Sequence, residues 1–310
     1  MAAPLAIVVV NFASTGLLRQ HLVKTATDVR PDHVVVVDNW SSRAELDHVG
    51  QLARRQGWDL VAAESNLGFG GGVNLGVQRA LQLGAEDILL LNPDASISAE
   101  SVRILQERAS TERDAVFSPL VLDSDGKVWF DGADVYLSDG VTRSVRKRFE
   151  RPGEVRWEWL SGACLLVTDA AWRMSGGFDE DYFLYWEDVD FSRRIVGAGG
   201  SLYVVPEATA IHDEGGTQRV GAPQRAKSEG YYYYNIRNRL LFAAKHLDTD
   251  DARRWRRGAW ASAREVLLRG GRRQFLRPWK PLRAAFRGVR DGRGYSVPEA
   301  VRRRQGAMDD

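Results

Sequence analysis

The run Leu5-Ala6-Ile7-Val8-Val9-Val10-Asn11 decides the fold of this 310-residue chain. An unbroken apolar, mostly β-branched series is typical of a strand that is buried on both faces, as in a parallel sheet covered by helices. The same pattern recurs at residues 34–37 and at Asp87–Leu91. Because helical patterns separate these runs, the sequence predicts an α/β fold with a mostly parallel sheet.

Polar side chains follow each of these three runs. Asn11 and Asp38 come directly after the first two strands, and Asp94 follows the third within Asn92-Pro93-Asp94. Ligands of open α/β sheets bind beyond the carboxyl ends of the strands. Any one of these residues alone would be an ordinary turn residue, but together they predict that Asn11, Asp38 and Asp94 converge on one crevice.

A glycine-rich segment, Asn66-Leu67-Gly68-Phe69-Gly70-Gly71-Gly72-Val73-Asn74, lies between the second and third of these strands. Glycines that open a helix let backbone N–H groups approach an anion. The segment does not fit a dinucleotide-binding fingerprint, whose third glycine would fall on Val73, and it lacks the Gly-Lys-Ser/Thr of a P-loop. A flexible loop is the alternative interpretation.

Residues 176–190, GGFDEDYFLYWEDVD, place six carboxylates among five aromatic rings. Carboxylates that repel one another beside low-dielectric rings raise each other's proton affinity, which suits a general base or a cation site. The simpler interpretation is a helix that begins with acidic residues near Glu187, where the helix dipole favours negative charge.

Two segments between these motifs are less regular. Residues 135–152 are charged and without a clear period, which predicts a mobile loop over the crevice. Residues 157–167 are predicted to form one strand, although Gly162 within it would weaken the strand unless another group approached its backbone closely.

Composition limits the class of protein. With 44% apolar residues the chain can bury a large core. Its one cysteine, Cys164, excludes an internal disulfide and suits a reducing cytosol. No stretch approaches the ~20 apolar residues of a membrane span. The sequence therefore predicts a cytoplasmic protein that does not cross a membrane.

The charge is unevenly distributed, although the net charge is only +2. Residues 253–293 hold fourteen Lys or Arg against two acids, and tryptophans are interleaved with them. This mixture predicts an amphipathic helix pair that lies peripherally on an anionic membrane, at the inner face of the cell membrane. A solvated basic tail or a homodimer contact is the alternative. No recognised nucleic-acid module is present, so nucleic acid is not an expected partner.

Taken together, the motifs resemble the inverting family 2 glycosyltransferases, and most closely their bacterial rhamnosyltransferase-like branch. The resemblance covers roughly residues 5–239. The motifs that carry it are VVVN (8–11), VVDNWS (36–41), NLGFGGGVN (66–74), LNPDA (91–95), LSGACLLV (160–167), the acidic segment 176–190 and a later histidine, His212.

The resemblance implies a GT-A fold, in which a Rossmann-like nucleotide-binding sheet is fused to an acceptor-binding half. It implies a glycosyltransferase domain over residues 1–245, with a nucleotide-sugar half at 1–118 and an acceptor half at 119–245. Residues 246–310 would form a basic, amphipathic helical extension.

The resemblance also assigns the donor site. Asp38 matches the acid that holds the nucleotide base, and a carboxylate can accept the imide N–H of uracil or thymine. Asn11 and Asn66 match positions near the nucleoside, and Gly70 and Asn74 lie where the backbone passes it.

A metal site is implied next to the donor. Asp94 matches the last acid of the family's Asp-x-Asp motif, whereas its first position is occupied here by Asn92. His212 matches a histidine that supplies a further ligand in some relatives. Oxygen donors suit Mg²⁺ or Mn²⁺, and an imidazole favours Mn²⁺.

The remaining roles concern catalysis and the acceptor. Asp188 matches the catalytic base, and Glu187 is the second candidate for that role. Arg237 is placed to reach the diphosphate, because a guanidinium can pair two oxygens at once. The predicted acceptor and sugar pocket contains Trp159, Gly162, Tyr185 and Trp186.

The implied activity is inverting transfer of a hexosyl or deoxyhexosyl group, such as L-rhamnosyl, from a dTDP- or UDP-sugar to a hydroxyl. A cell-envelope glycan or lipid-linked intermediate is the expected acceptor. Two alternatives stay open at this point: a transferase that glycosylates a soluble small molecule, and an inactive nucleotide-sugar binding protein in which Asn92 has replaced a metal-binding acid.

Overall fold

The computed structural model describes residues 3–213, 227–271 and 279–295. These residues divide into two compact units. The first comprises residues 3–133, 158–183 and 187–213, and the second comprises residues 134–157, 184–186, 227–271 and 279–295.

The described residues form twelve strands and eleven α-helices. The strands are β1 (Leu5–Asn11), β2 (His33–Asp38), β3 (Asp59–Ala62), β4 (Asp87–Leu91), β5 (Ala95–Ile97), β6 (Ala115–Leu122), β7 (Val128–Phe130), β8 (Ala133–Tyr136), β9 (Thr142–Ser144), β10 (Arg156–Trp159), β11 (Cys164–Thr168) and β12 (Ser201–His212). The helices are α1 (Thr15–Leu17), α2 (Val23–Val29), α3 (Arg43–Gln56), α4 (Gly68–Gln82), α5 (Ala99–Thr111), α6 (Asp169–Ser175), α7 (Glu187–Gly197), α8 (Glu229–His246), α9 (Thr249–Arg257), α10 (Ala259–Leu268) and α11 (Trp279–Arg293). A π-helical turn, Leu18–Leu22, joins α1 to α2.

The first unit is built on a nine-stranded sheet in the order β3-β2-β1-β4-β11-β6-β12-β5, with β7 paired to β6. Strands β3, β2, β1 and β4 are mutually parallel. Strand β11 runs antiparallel to both of its neighbours, and β12 runs parallel to β6. The predicted α/β fold with a mostly parallel sheet is therefore confirmed.

Helix α4 lies unusually close to the parallel strands. A β-carbon at Gly72 would lie 2.8 Å from the side chain of Val10, and one at Gly76 would lie 2.5 Å from that of Val8. Real side chains do not approach so closely, so only glycine allows this packing. Gly72 of the glycine-rich segment and Gly76 beyond it thus allow close contact between the helix and the sheet.

Two secondary-structure predictions were wrong. Residues 157–167 form parts of two strands, β10 and β11, and not one, because the chain leaves the extended conformation around Gly162. Residues 135–152 contain strand structure and a 3₁₀-helix, Val145–Glu150, where an irregular loop was expected. Buried Asp134 anchors this segment through Arg148, at 2.7 Å between Nε and Oδ2.

Strands β10, β8 and β9 form, in that order, a small three-stranded sheet, and the second unit contains the C-terminal helices α8 to α11. Its interior is aromatic: the ring of Phe242 on α8 lies 5.5 Å from that of Trp186 and 6.2 Å from that of Trp255. Among the described residues of the whole chain, no helix combines the length and apolar character that a bilayer span requires.

Candidate active site

Asn11 and Asp38 end neighbouring strands and are paired in the register of β1 and β2. The amide Nδ2 of Asn11 donates to Oδ1 of Asp38 at 3.1 Å, and both residues are fully buried. The other carboxylate oxygen, Oδ2 of Asp38, is buried without a hydrogen-bond partner among the described residues. Burial raises the pKa of Asp38. A buried, unpaired acceptor of this kind is suited to an N–H donor from a ligand.

Glu45 supports this pair and was not predicted as a site residue. Its Oε1 accepts from the backbone N of Thr15 at 2.8 Å, from Oγ1 of Thr15 at 2.7 Å and from Nδ2 of Asn11 at 3.3 Å. Burial raises the pKa of Glu45, but the hydrogen bonds from Thr15 and Asn11 outweigh burial, so the pKa is lowered. An ionised Glu45 therefore fixes which way the Asn11 amide points.

Asn39, also absent from the prediction, organises the glycine-rich segment. Its Nδ2 donates to the carbonyl of Gly68 at 2.8 Å and to Oδ1 of Asn66 at 3.2 Å. Its Oδ1 accepts from the backbone N of Leu67 at 2.9 Å. Asn66, a predicted donor-site residue, is thus held in the turn that leads into α4.

The start of α4 contacts the acidic segment. Gly68 has a positive φ of +77°, and a β-carbon there would lie 2.1 Å from the carbonyl oxygen of Phe183. The backbone N of Phe69 donates to that same oxygen at 2.7 Å. A β-carbon at Gly70 would lie 3.7 Å from Cβ of Glu187. The glycines therefore bring α4 against the acidic segment, and an anion contact at Gly70 stays a prediction.

Asn74 forms a second link to the acidic segment. Its Oδ1 accepts from the backbone N of Phe178 at 2.8 Å, and its Nδ2 donates to the Phe178 carbonyl at 2.9 Å and to Oε1 of Glu180 at 3.0 Å. The structure gives Asn74 a positioning role. Its predicted contact with the nucleotide sugar stays a prediction.

Glu187 and Asp188 begin α7. Oδ2 of Asp188 accepts from the backbone N of Gly162 at 3.2 Å, and its Oδ1 accepts from the backbone N of Val189 at 2.9 Å. Burial outweighs these hydrogen bonds and raises the pKa of Asp188 to about 6. Burial, together with the charge of Asp188, also raises the pKa of Glu187 well above its ordinary value. Oε2 of Glu187 is buried without a hydrogen-bond partner in the described part of the chain.

The backbone before α7 is strained. Phe183, Tyr185 and Trp186 have positive φ angles of 61°, 65° and 75°, which cost roughly 1–3 kcal/mol each in non-glycine residues. Such conformations persist where surrounding contacts fix them, and they cluster at functional sites. Within the second unit, Nδ2 of Asn238 donates to the carbonyls of Leu184 at 2.9 Å and Tyr185 at 2.7 Å. Asn238 is thus a further positioning residue that sequence reasoning missed.

Asn92, Asp94 and His212 gather beyond β4. Nε2 of His212 lies 3.1 Å from Oδ1 of Asp94 and 3.4 Å from Nδ2 of Asn92. The pairing of β5 with β12 aligns His212 with Ala95, next to Asp94, which explains how residues so far apart in sequence meet. The indole of Trp129 covers the imidazole at a ring distance of 4.4 Å.

A carboxylate oxygen and an imidazole nitrogen this close together are suitable donors for Mg²⁺ or Mn²⁺. The described residues contain no group of three or more His, Cys, Asp and Glu side chains with the geometry of a metal site. Asp94 and His212 supply one carboxylate and one imidazole.

A short series of contacts joins this cluster to Asp188. The backbone N of Asn92 donates to the carbonyl of Ala163 at 2.9 Å. Ala163 directly follows Gly162, whose N–H reaches Asp188 at 3.2 Å. The break between β10 and β11 thus brings the loop of Asp94 close to the carboxylate that begins α7, within one unit.

Trp159, predicted for the acceptor pocket, packs within the first unit. Its ring lies 5.5 Å from that of Phe130 at the edge of the core. Its indole Nε1 is buried and has no hydrogen-bond partner among the described residues. Contact with a sugar stays a prediction for this side chain.

Three other predicted site residues belong to the second unit. Trp186 and Tyr185 pack against aromatic rings of α8, at ring distances of 5.5 and 5.4 Å. Arg237 donates to Oδ1 of Asn238 at 2.7 Å and to the hydroxyl of Tyr295. Their predicted contacts with the sugar, the acceptor and the diphosphate stay predictions.

The architecture defines the fold class as GT-A. Among solved structures, a mannosyltransferase from Pyrobaculum calidifontis in complex with GDP-Man and Mn²⁺ superposes with a TM-score of 0.54 at 14% identity, over 99% of this chain and 80% of its own. At that identity the likeness concerns the fold alone.

Sequence relatives identify the family. An N-acetylglucosaminyl-diphospho-decaprenol L-rhamnosyltransferase of Mycobacterium tuberculosis is 30% identical over 240 residues, which cover 68% of this chain and 76% of that protein. The dTDP-rhamnosyl transferase RfbF of Shigella flexneri is 23% identical over 217 residues, which cover 69% of this chain and 71% of that protein. No protein-family model matches the chain. The chain belongs to the rhamnosyltransferase-like branch of the family 2 glycosyltransferases, as its motifs predicted.

Proposed function

We propose that this glycosyltransferase moves an L-rhamnosyl group, or a related hexosyl group, from a dTDP- or UDP-sugar to a hydroxyl of a lipid-linked cell-envelope glycan, with inversion. The observation that supports the proposal is the series of contacts from the Asp94–His212 pair, through Asn92, Ala163 and Gly162, to Asp188. The names of the Mycobacterium and Shigella relatives support the donor and the acceptor class.

Recognition of the nucleotide base is assigned to Asp38. Because Asn11 occupies Oδ1, the unpaired Oδ2 is the oxygen that accepts the imide N–H of uracil or thymine. Hydrogen bonds to a charged group contribute about 1.5–3 kcal/mol. Glu45 keeps the Asn11 amide oriented, so the acceptor oxygen is fixed before the donor binds.

Asp188 is the proposed base. As the acceptor hydroxyl oxygen bonds to the anomeric carbon, the bond from that carbon to the diphosphate oxygen breaks, and the hydroxyl proton passes to Asp188. The raised pKa of Asp188, about 6 because of burial, makes it a stronger base than an exposed carboxylate, which has a pKa near 3.8. Attack opposite the leaving diphosphate inverts the anomeric configuration.

Asp94 and His212 are the residues that would hold Mg²⁺ or Mn²⁺. A bound cation would supply positive charge to the departing nucleoside diphosphate. The ring of His212 is held in place by Trp129 and presents Nε2 toward Asp94, so the two donors are oriented in advance. Asn92 is uncharged, so it adds no negative charge beside Asp94 and His212. We therefore expect weaker metal binding than a site with a carboxylate at position 92 would give.

The test is a donor panel in which stability and turnover are both measured. The protein is incubated with dTDP-L-rhamnose, UDP-glucose, UDP-galactose and ADP-glucose, with Mg²⁺, with Mn²⁺ or with a chelator. A donor present at a hundred times its Kd stabilises the fold by about 2.7 kcal/mol. We expect thermal stabilisation and slow nucleoside diphosphate release with dTDP- or UDP-sugars, reduced by the chelator.

ADP-glucose is the matched control, because adenine offers no imide N–H to Asp38. Equal stabilisation by ADP-glucose, or none by any pyrimidine sugar, would contradict the donor assignment. Adding lipid-linked and soluble hydroxyl acceptors then separates the proposed activity from glycosylation of a soluble small molecule.

A second candidate function, suggested by Asn92 in place of an acid, is nucleotide-sugar binding without transfer. It predicts thermal stabilisation with no release of nucleoside diphosphate under any metal condition. Release that is abolished by Asp188→Asn would exclude it.

A further inference from the structure

Helix α11 has two apolar faces. Its buried face consists of small residues and valine: Pro281, Ala284, Ala285, Gly288, Val289 and Gly292. A β-carbon at Gly288 would lie 2.8 Å from the carbonyl of Tyr233, and one at Gly292 would lie 2.8 Å from the side chain of Leu240, both on α8. This face therefore fixes α11 closely on α8.

The opposite face of α11 displays large apolar side chains to solvent. Trp279 is 82% exposed, and Leu282 and Phe286 are also exposed. Their spacing of three and four residues places them on one side of the helix. Packing on α8 does not account for them, since α8 is contacted by the other side.

Helix α10 extends this exposed surface. Trp260 and Leu268 are exposed on it, and the ring of Trp260 lies 6.0 Å from that of Phe286 on α11. We call the exposed residues Trp260, Leu268, Trp279, Leu282 and Phe286 the apolar patch. Exposed large apolar side chains that lie together are typical of interaction surfaces.

The surroundings of the apolar patch are strongly basic. Residues 253–271 and 279–293 hold eleven Lys or Arg but only two acids, Glu265 and Asp291. Arg283, Arg287 and Arg290 are exposed on α11 between the apolar side chains and the α8 contact. Large aromatics flanked by arginines are the composition of helices that lie in the interface of an anionic bilayer.

We propose that the α10–α11 face docks on the surface of an anionic membrane, with the apolar patch at headgroup depth and the arginines against lipid phosphates. A second copy of the chain is the competing occupant. It is disfavoured because two such basic faces would repel each other. The proposal goes beyond sugar transfer and does not depend on it, although it suits an acceptor that is anchored in lipid.

The docking face also connects to the segment before the proposed base. Helix α8, which holds α11, carries Asn238, whose amide binds the carbonyls of Leu184 and Tyr185. The chain then continues through Trp186 into α7. A membrane-bound α11 would therefore be rigidly attached to the residues that precede Glu187.

The test is vesicle co-sedimentation of the full-length protein. Vesicles of phosphatidylcholine alone are compared with vesicles that also contain phosphatidylglycerol, at low and high salt. We expect binding to the anionic vesicles only, and weaker binding at high salt because salt screens exposed charges. Equal binding to both kinds of vesicle, or to neither, would overturn the proposal.

Two variants test the surface itself. The triple variant Trp279→Ser, Leu282→Ser, Phe286→Ser removes exposed side chains only, and we expect it to weaken anionic-vesicle binding by about tenfold or more. The matched control, Phe149→Ser with Val155→Ser, alters two exposed apolar residues of the same unit outside the patch and should bind as the parent does. Unchanged binding by the triple variant would refute the docking face.

Light scattering tests the competing occupant. A stable dimer that the triple variant converts to monomer would show that the apolar patch is a subunit interface, and would overturn membrane docking. Circular dichroism confirms that each variant is folded. Donor-induced thermal stabilisation should be the same in all of them, so failure of docking is distinguishable from failure of the proposed transfer activity.

Discussion

The two ends of the candidate site hold their carboxylates in opposite ways. At the ends of β1 and β2, the Asn11 amide donates to the carboxylates of both Asp38 and Glu45, so side chains from β1, β2 and α3 fix one another. At the start of α7, Asp188 receives only backbone N–H groups, and Oε2 of Glu187 is buried without a partner among the described residues. Burial raises the pKa of both Asp38 and Asp188. The first arrangement also fixes the direction of an acceptor oxygen, as recognition requires, whereas the second holds a carboxylate of raised proton affinity without side-chain donors, as suits a base.

The largest expected effect falls on the catalytic end. Asp188→Asn keeps the shape of the side chain and, with its single amide oxygen, one of the two backbone hydrogen bonds, but it cannot accept a proton. We expect kcat to fall by about 10²–10⁴-fold with little change in the donor KM, as loss of a positioned base predicts. Steady-state assay of nucleoside diphosphate release measures it.

Asp181→Asn is the matched control, because Asp181 is an exposed carboxylate of the same segment. It should leave kcat within about twofold of the parent, as surface substitutions usually do. A folded Asp188→Asn protein with near-normal kcat would show that another residue is the base. The start of α7 would then not be the catalytic end of the site.

The nucleoside end should respond in binding. Asp38→Asn removes a charge-assisted hydrogen bond of about 1.5–3 kcal/mol, so kcat/KM should fall roughly ten- to a hundredfold, mainly through the donor KM. Glu45→Gln, which weakens only the support of Asn11, should give a smaller loss of the same kind. A fall in kcat at constant KM for Asp38→Asn would mean that this residue acts in the chemical step. That result would contradict the division into a binding role for Asp38 and a catalytic role for Asp188.

The pH dependence of activity distinguishes the two ends further. A base works when deprotonated, and burial raises the pKa of Asp188 to about 6. We therefore expect kcat/KM to rise about tenfold per pH unit below pH 6 and to level off above it. Donor binding measured by thermal shift at pH 5.5 and 7 should change less than kcat/KM does over the same range, because binding does not require a proton acceptor. A rate that is flat between pH 5 and 7 would contradict Asp188 as the base.

Sequence reasoning predicted that Asn11 and Asp38 lie together, because parallel strands place successive carboxyl ends side by side. The register of Asn11 with Asp38 confirms that the two residues are neighbours. Glu45 was not predicted as a site residue. Ser42-x-x-Glu45 has the pattern of a capping box, in which the glutamate side chain accepts from the backbone N–H of Ser42. Ser42 does cap α3, but the Glu45 carboxylate instead reaches Thr15.

Other features could not be inferred from local sequence at all. A glycine required for anion contact and one required for close packing look alike in sequence, and only the 2.5 Å approach to Val8 assigns Gly76 to packing. Residues 135–152 were expected to be irregular because their charged residues follow no period. The structure orders them through the ion pair of buried Asp134 with Arg148, two positions that no sequence period connects. Contacts between residues far apart in sequence therefore determine the packing of Gly76 and the structure of residues 135–152, and composition does not reveal such contacts.

The smallest expected effect is on stability, and it contrasts two neighbouring carboxylates of α7. Asp190 is fully buried and pairs with Arg194 at 2.7 Å, and Arg194 also donates to the Gly177 carbonyl at 2.7 Å. Asp190→Asn should cost about 1–3 kcal/mol of unfolding free energy, because it leaves the guanidinium without its counter-charge.

Glu187→Gln should act in the opposite direction. A carboxyl whose pKa is raised by burial binds its proton more tightly in the folded than in the unfolded protein. Ionised Glu187 therefore lowers stability above its folded pKa, and this penalty disappears below its unfolded pKa, about 4.5. We expect Glu187→Gln to have a higher Tm than the parent at high pH and the same Tm below about pH 4.5. Thermal unfolding across this pH range measures it, and a Tm lowered at high pH would mean that Glu187, like Asp190, is held by partners that stabilise its charge.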